Sequence, residues 1–63
     1  SRQNLLGLIV KEINSLEFSV HNAKINTLGQ RAEDFFIISS KTKLNLESRI
    51  QTLIKNIRLK VDE

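Results

Sequence analysis

The chain has 63 residues, 40% of them hydrophobic, and a formal net charge of +3. A single domain of that size buries about 60% of the surface its unfolded chain exposes, and 17 of its 25 apolar residues are Leu or Ile, which excludes a disordered segment. Cys is absent and His occurs once, which excludes disulfides and thiolate sites and leaves no usual ligand set for zinc.

Residues 4–16 read as an amphipathic helix. Leu6, Ile9, Ile13 and Leu16 recur at helical spacing, and Leu5 and Val10 flank the stripe. Asn4 is placed to cap the first turn with its side-chain oxygen. Gly7 costs that helix about 1 kcal/mol relative to Ala. It is either a neutral surface residue or a place where another backbone or a ligand comes close. The apolar run Leu5–Val10, broken by Gly7, is too short to cross a bilayer or to serve as a signal peptide.

Residues 17–28 read as a strand. Phe18 and Val20 share one parity, and Ala23 and Ile25 continue on the other. A bulge near His21–Asn22, or burial of both faces, would account for the change. Thr27-Leu28-Gly29-Gln30 supplies a turn, with Gly29 at positive φ. Residues 31–39 form a second strand. Phe35 and Ile37 face one way in it, Phe36 and Ile38 the other. A strand apolar on both faces needs cover on both. One layer of helices covers a single face, so a second subunit or neighbouring domain is expected on the other.

Ser39 to Asn45 reads as a loop, with Asn45 capping a second helix over 46–60. Leu46, Ile50, Leu53 and Ile57 form its stripe, and Ile54 widens it. Glu47 in the first turn and Arg58 and Lys60 in the last suit the helix dipole. The tail 58–63 reads equally as helix or strand. Residues 41–60 hold Lys41, Lys43, Arg49, Lys55, Arg58 and Lys60 against Glu47 alone. Such a face touches an acidic partner or nucleic acid or, more simply, is solvated.

The order is helix, strand, strand, helix. An isolated two-stranded hairpin is marginal in water. A strand before Ser1 would complete a β-α-β-β-α unit of the ferredoxin-like plan. The opening Ser1, in place of Met, is read as the mark of a fragment.

The segment from His21 to Phe36 matches a pattern close to HxAxIxTxGxxxEDxF at His21, Ala23, Ile25, Thr27, Gly29, Glu33, Asp34 and Phe36. It resembles the C-terminal ACT domain of bifunctional PII uridylyltransferase/uridylyl-removing enzymes. Arg2-Gln3-Asn4-Leu5-Leu6 looks like the end of the ACT signature D-x-P-G-L-L. The resemblance covers essentially all 63 residues. It implies an α+β, ferredoxin-like ACT domain, βαββα(β) in two layers. Its first strand is missing here, so that 1–63 is one truncated domain reading α-β-β-α.

The resemblance also implies a function. Such enzymes sense glutamine, attach UMP to a tyrosine of the PII protein when it is scarce, and remove it when it is plentiful. UTP and Mg²⁺ belong to the parent's catalytic domains, so this fragment is expected to be inert and cytoplasmic, without cofactor, nucleic acid or membrane. Its expected partner is another ACT domain, in a homodimer or beside it in the parent, with PII reached through the parent enzyme. Amino acids commonly bind ACT domains between the first loop and a paired strand. The matching positions are Ser1, Arg2, Gln3, Asn4, Leu5, Leu6 and, on the strand, Ser19. Three depart from the pattern: Ser1 stands for Asp, Gln3 for Pro and Asn4 for Gly. His21, Phe35, Phe36, Ile37 and Ile38 are assigned to pairing or structure. A ligand-free dimerisation module is the rival reading.

The residues themselves point away from catalysis. Glu33 and Asp34 are strand neighbours and face opposite ways. His21 has no carboxylate or nucleophile near it in sequence, and Ser39-Ser40 lacks a glycine-rich phosphate cradle. Nucleic-acid stacking would need exposed aromatics among basic residues. Tyr and Trp are absent, and Phe35 and Phe36 adjoin Glu33-Asp34.

Overall fold

A computed structural model describes residues 2–61, with side chains from Asn4 onward. Helix α1 (Arg2–Ser15) leads into strand β1 (Phe18–Leu28), strand β2 (Arg31–Ser40) and helix α2 (Leu46–Val61). This is the α-β-β-α order read from the sequence, around a two-stranded antiparallel sheet. The arrangement matches the ACT-like, ferredoxin-type fold.

Helix α1 starts two residues earlier than its periodicity indicates. Arg2 and Gln3 are good helix formers, and nothing in them halts the turn. Asn4 is therefore inside the helix and is not its N-cap. Ile9 and Ile13 are buried, Leu5 and Leu16 pack beside them, and Leu6 is half-buried. Gly7 is exposed, and a Cβ built on it would meet nothing within 4 Å. Of the two readings of Gly7, the open surface one describes this chain. Gly7→Ala should accordingly stabilise the domain by about 1 kcal/mol, the helix-propensity difference. A urea melt checks this, and destabilisation would mean that the position is covered.

The helix ends through Leu16 and Glu17. Glu17 sits at φ 65, a left-handed stop that usually falls to glycine. Its carbonyl accepts the Lys41 N–H at 2.8 Å, which ties the base of the hairpin. The parity change along β1 is a bulge. Val20 pairs with Ile38 and Asn22 with Ile37, so His21 is the extra residue. Phe18, Val20, Ala23 and Ile25 thereby share the face of Phe36 and Ile38. At the other end Leu28 pairs with Arg31 across a two-residue loop. Gly29 takes φ 62 and Gln30 does not go positive, the II′ sign pattern that suits strand twist.

The core is small. Ile9, Ile13, Phe18 and Leu53 are buried, and Leu5, Leu16, Val20, Phe36, Ile38 and Ile57 pack around them. Helix α1 lies on β1, and α2 lies beside α1. The stripe read for α2 is narrower than its periodicity suggests. Leu46, Ile50 and Ile54 are exposed, at 41%, 37% and 39%. The inward row is instead Arg49, Leu53, Asn56, Ile57 and Lys60. Three of those are polar, and their stems pack while their tips bond. The tail is helical through Val61, which settles 58–61 against a strand; 62–63 lie outside the described residues. Asn45 does begin α2. Its carbonyl accepts the Arg49 N–H at 2.9 Å, from a backbone at φ 51 that Asn tolerates.

Candidate functional site

The bulge and the pairing register divide the hairpin into two faces. One carries Phe18, Val20, Phe36 and Ile38 against the helices. The other carries Ser19, Asn22, Lys24 and Asn26 from β1, and Glu33, Phe35, Ile37 and Ser39 from β2. Phe35 is 50% exposed and Ile37 63%. The uncovered face anticipated for the second strand is thus present, with an apolar strip along β2.

Ser19 stands opposite Ser39 on that face. His21 Nε2 and Ser39 Oγ approach to 2.6 Å. The contact fixes the bulged residue across the hairpin. A Ser–His nucleophile pair would begin with such a contact, which sequence spacing did not reveal. Such a pair needs a third group to orient the ring. Among the described residues no carboxylate bonds the His21 ring. Glu33 pairs with Asn26 on the open face and Asp34 with Ile25 on the helix face, so these carboxylates cannot share one substrate atom.

Of the candidate effector positions, Ser1 lies outside the described residues. Arg2, Gln3, Asn4, Leu5 and Leu6 are the first turns of α1 and not a loop. Leu5 packs against the core, and Asn4 is exposed. Ser19 points from the sheet face opposite the helices. One chain therefore does not bring Ser19 and the start of α1 onto a common ligand. Only an arrangement with a second domain could do so.

The residue that sequence reasoning missed is Arg49. Its Nε donates to the Leu44 carbonyl at 2.8 Å, Nη1 to the Leu16 carbonyl at 3.0 Å, and Nη2 to Ser40 Oγ and the Thr42 carbonyl, each at 2.7 Å. Its guanidinium lies 4.8 Å from the Phe18 ring centroid. It joins the α1–β1 turn, the end of β2 and the start of α2. The available signal was its position four residues before Leu53, on the buried row. A second polar join links the helices: Asn56 Nδ2 donates to Glu12 Oε1, and Lys60 Nζ lies 3.9 Å from Glu12 Oε2. Beside it is a shallow cleft of about 260 Å³ lined by Leu8, Lys11, Glu12, Ser15 and Lys60.

Among the described residues no helix is long and apolar enough to cross a membrane. No cluster of three or more His, Asp or Glu is placed to hold a metal among them either.

The fold and the hairpin motif thus define an ACT-like, ferredoxin-type domain. No protein-family model and no solved structure matches the chain. Curated relatives do. The chain is 41% identical over 54 residues to the bifunctional uridylyltransferase/uridylyl-removing enzyme of Legionella pneumophila, a match covering 86% of this chain and 6% of that protein. It is 42% identical over 59 residues to the enzyme of the same name from Hydrogenovibrio crunogenus, covering 84% of this chain and 7% of that protein. Identity to the Haemophilus influenzae enzyme is 32% over 56 residues, 89% of this chain and 6% of that protein. Over most of its length the chain is a homologue of these enzymes. It spans about 6–7% of the length of the curated relatives it matches.

Proposed function

We propose that the chain is a regulatory ACT module of a PII uridylyltransferase/uridylyl-removing enzyme, that it pairs with a second ACT domain, and that its effector is glutamine. The observation that carries this reading is the open hairpin face. Exposed Phe35 and Ile37 lie there beside Ser19 and the His21–Ser39 contact, in a chain homologous to such enzymes over most of its length. An exposed apolar strip rimmed by polar groups marks an interaction surface. Because α1 and Ser19 lie on opposite sides of the sheet, an amino acid touching both must sit between two domains. Its binding then favours the paired arrangement that presents both, and this differential affinity is the regulatory signal. The chain itself supplies recognition and no chemistry. UTP, Mg²⁺ and the PII protein belong to other parts of the parent.

An amide NMR titration of the 63-residue chain with L-glutamine tests the effector, with glutamate and alanine as controls. Saturable shifts at residues 2–7 and 18–22, produced by glutamine alone, are expected. A folded, paired sample that shows no shift at millimolar glutamine would leave a ligand-free pairing module. The exposed face supports that second reading equally for pairing, and only the titration separates them.

A further inference from the structure

His21 is the one histidine of a chain without cysteine, so it is the side chain that changes charge between about pH 5 and 8. As the extra residue of the β1 bulge it has no β2 residue opposite it. Its exposed ring crosses instead to Ser39, with Nε2 2.6 Å from Oγ. The register puts Ser39 on the face away from the helices, two residues along from Ile37. The ring therefore lies at the rim of the exposed strip of Phe35 and Ile37. The Ser39 contact can hold in both charge states. A neutral imidazole can accept the hydroxyl proton at Nε2, whereas an imidazolium donates to the hydroxyl oxygen. Protonation thus leaves the hairpin in place and changes what the open face presents: one more positive charge, and a Ser39 O–H turned away from the ring.

We infer that His21 is a pH-sensitive switch on the pairing of this open face with a second copy of the chain, permitting the pair when neutral and loosening it when protonated. This rests on the pairing half of the reading above and does not involve glutamine. The reason is the charge on the face. By register it carries Lys24 and Arg31 against Glu33, and Glu17 and Lys41 meet at the base of the hairpin. The helices pack on the other face, so their charged groups do not face the ring. Three cations against two carboxylates leave this face at +1, and protonated His21 raises it to +2. A nearly neutral face with an apolar strip can meet its own copy, because a two-fold axis lays strip on strip. The same axis doubles the charge of His21. Two imidazoliums then enter one seam, each losing water beside Ile37 and each meeting a face of its own sign. Among the described residues no carboxylate bonds the ring to offset this. Pairing is therefore coupled to proton release. It is strongest above the imidazole range and weakens as pH falls through it.

Sedimentation velocity of the full chain tests it, across a concentration series at about pH 8 and about pH 5.5 and at one ionic strength. Circular dichroism shows that each sample is folded. A reversible dimer is expected at the higher pH, with a dissociation constant at least about tenfold larger at the lower. His21→Gln stays neutral and keeps a hydrogen-bonding group for Ser39, so its two dissociation constants should agree within about threefold. The α-amino group also titrates near this range, and that variant retains it. His21→Lys should pair weakly at both pH values, and Phe35→Lys should abolish pairing at the higher. A dimer equally tight at both pH values overturns the inference and leaves the pairing reading standing. A pH effect that His21→Gln keeps in full does the same. A chain monomeric at millimolar concentration at the higher pH, or a dimer indifferent to Phe35→Lys, overturns the inference together with pairing of copies through this face.

Discussion

Arg49→Ala should cost the domain about 3 kcal/mol, the largest loss expected from any polar side chain here. The guanidinium donates to three backbone carbonyls and one hydroxyl, drawn from three separate segments. A hydrogen bond from a charged group contributes about 1.5–3 kcal/mol, but these four share one cation and are not additive. The stack on Phe18 adds about 0.5–1 kcal/mol at a partly exposed site. After truncation, water can reach the exposed Leu44 carbonyl. It reaches the part-buried Leu16, Ser40 and Thr42 acceptors less easily, and that difference sets the size of the loss. Arg49→Lys should recover less than half of it, because an ammonium cannot span acceptors laid out for a planar fork. Urea melts of the wild type, Arg49→Ala, Phe18→Leu and the double variant measure both the loss and the coupling. A loss below about 1 kcal/mol for Arg49→Ala would reduce this network to a surface ornament.

The same residue shows where sequence reading stopped. A tally of charges puts Arg49 with Lys55 and Arg58 on a solvated or partner-facing surface. Charge counting cannot tell a cation that faces water from one that faces orphan carbonyls at a chain reversal. The backbone features were more legible because each has a local cause. The exchange of parity between Val20 and Ala23 called for a bulge or for two buried faces, and a bulge is present at His21. Gly29 supplied the positive φ that the hairpin needed. The start of α1 was less legible, because Asn4 satisfies the chemistry of a cap whether or not the helix begins there. The α2 stripe was over-read for a different reason. Leu46, Ile50 and Ile54 have helical spacing, but periodicity reports which side chains could be covered together. It does not report whether this chain supplies the cover. Of the candidate site, the two-sided apolar strand was legible; His21 was assigned to pairing or structure, and its partner Ser39 was not legible. Residues 18 apart meet there only because the bulge sets the register.

Ile13→Ala tests how little apolar burial this fold has in reserve. Ile13 is 1% exposed and lies among Ile9, Phe18 and Leu53. Truncating a buried Ile to Ala costs about 2–5 kcal/mol, the transfer loss plus the residual cavity. At about 0.05–0.15 kcal/mol per residue, a chain of this length has a total stability of roughly 3–9 kcal/mol. One substitution therefore removes at least about a fifth of it. With four buried side chains among the described residues there is no second layer there to collapse inward, so the upper half of the cavity range applies. Circular dichroism should show Ile13→Ala losing its cooperative melt or shifting it down by about 10 °C or more. Ile50→Ala, on the exposed row of α2, should change the isolated fold by less than about 0.5 kcal/mol. Where a second ACT domain covers that row, as the proposed pairing allows, Ile50→Ala becomes more costly as concentration rises, because burial in the pair is linked to folding by mass action. Ile13→Ala should cost nearly the same at every concentration. That contrast separates the core the chain holds by itself from the apolar surface it shares.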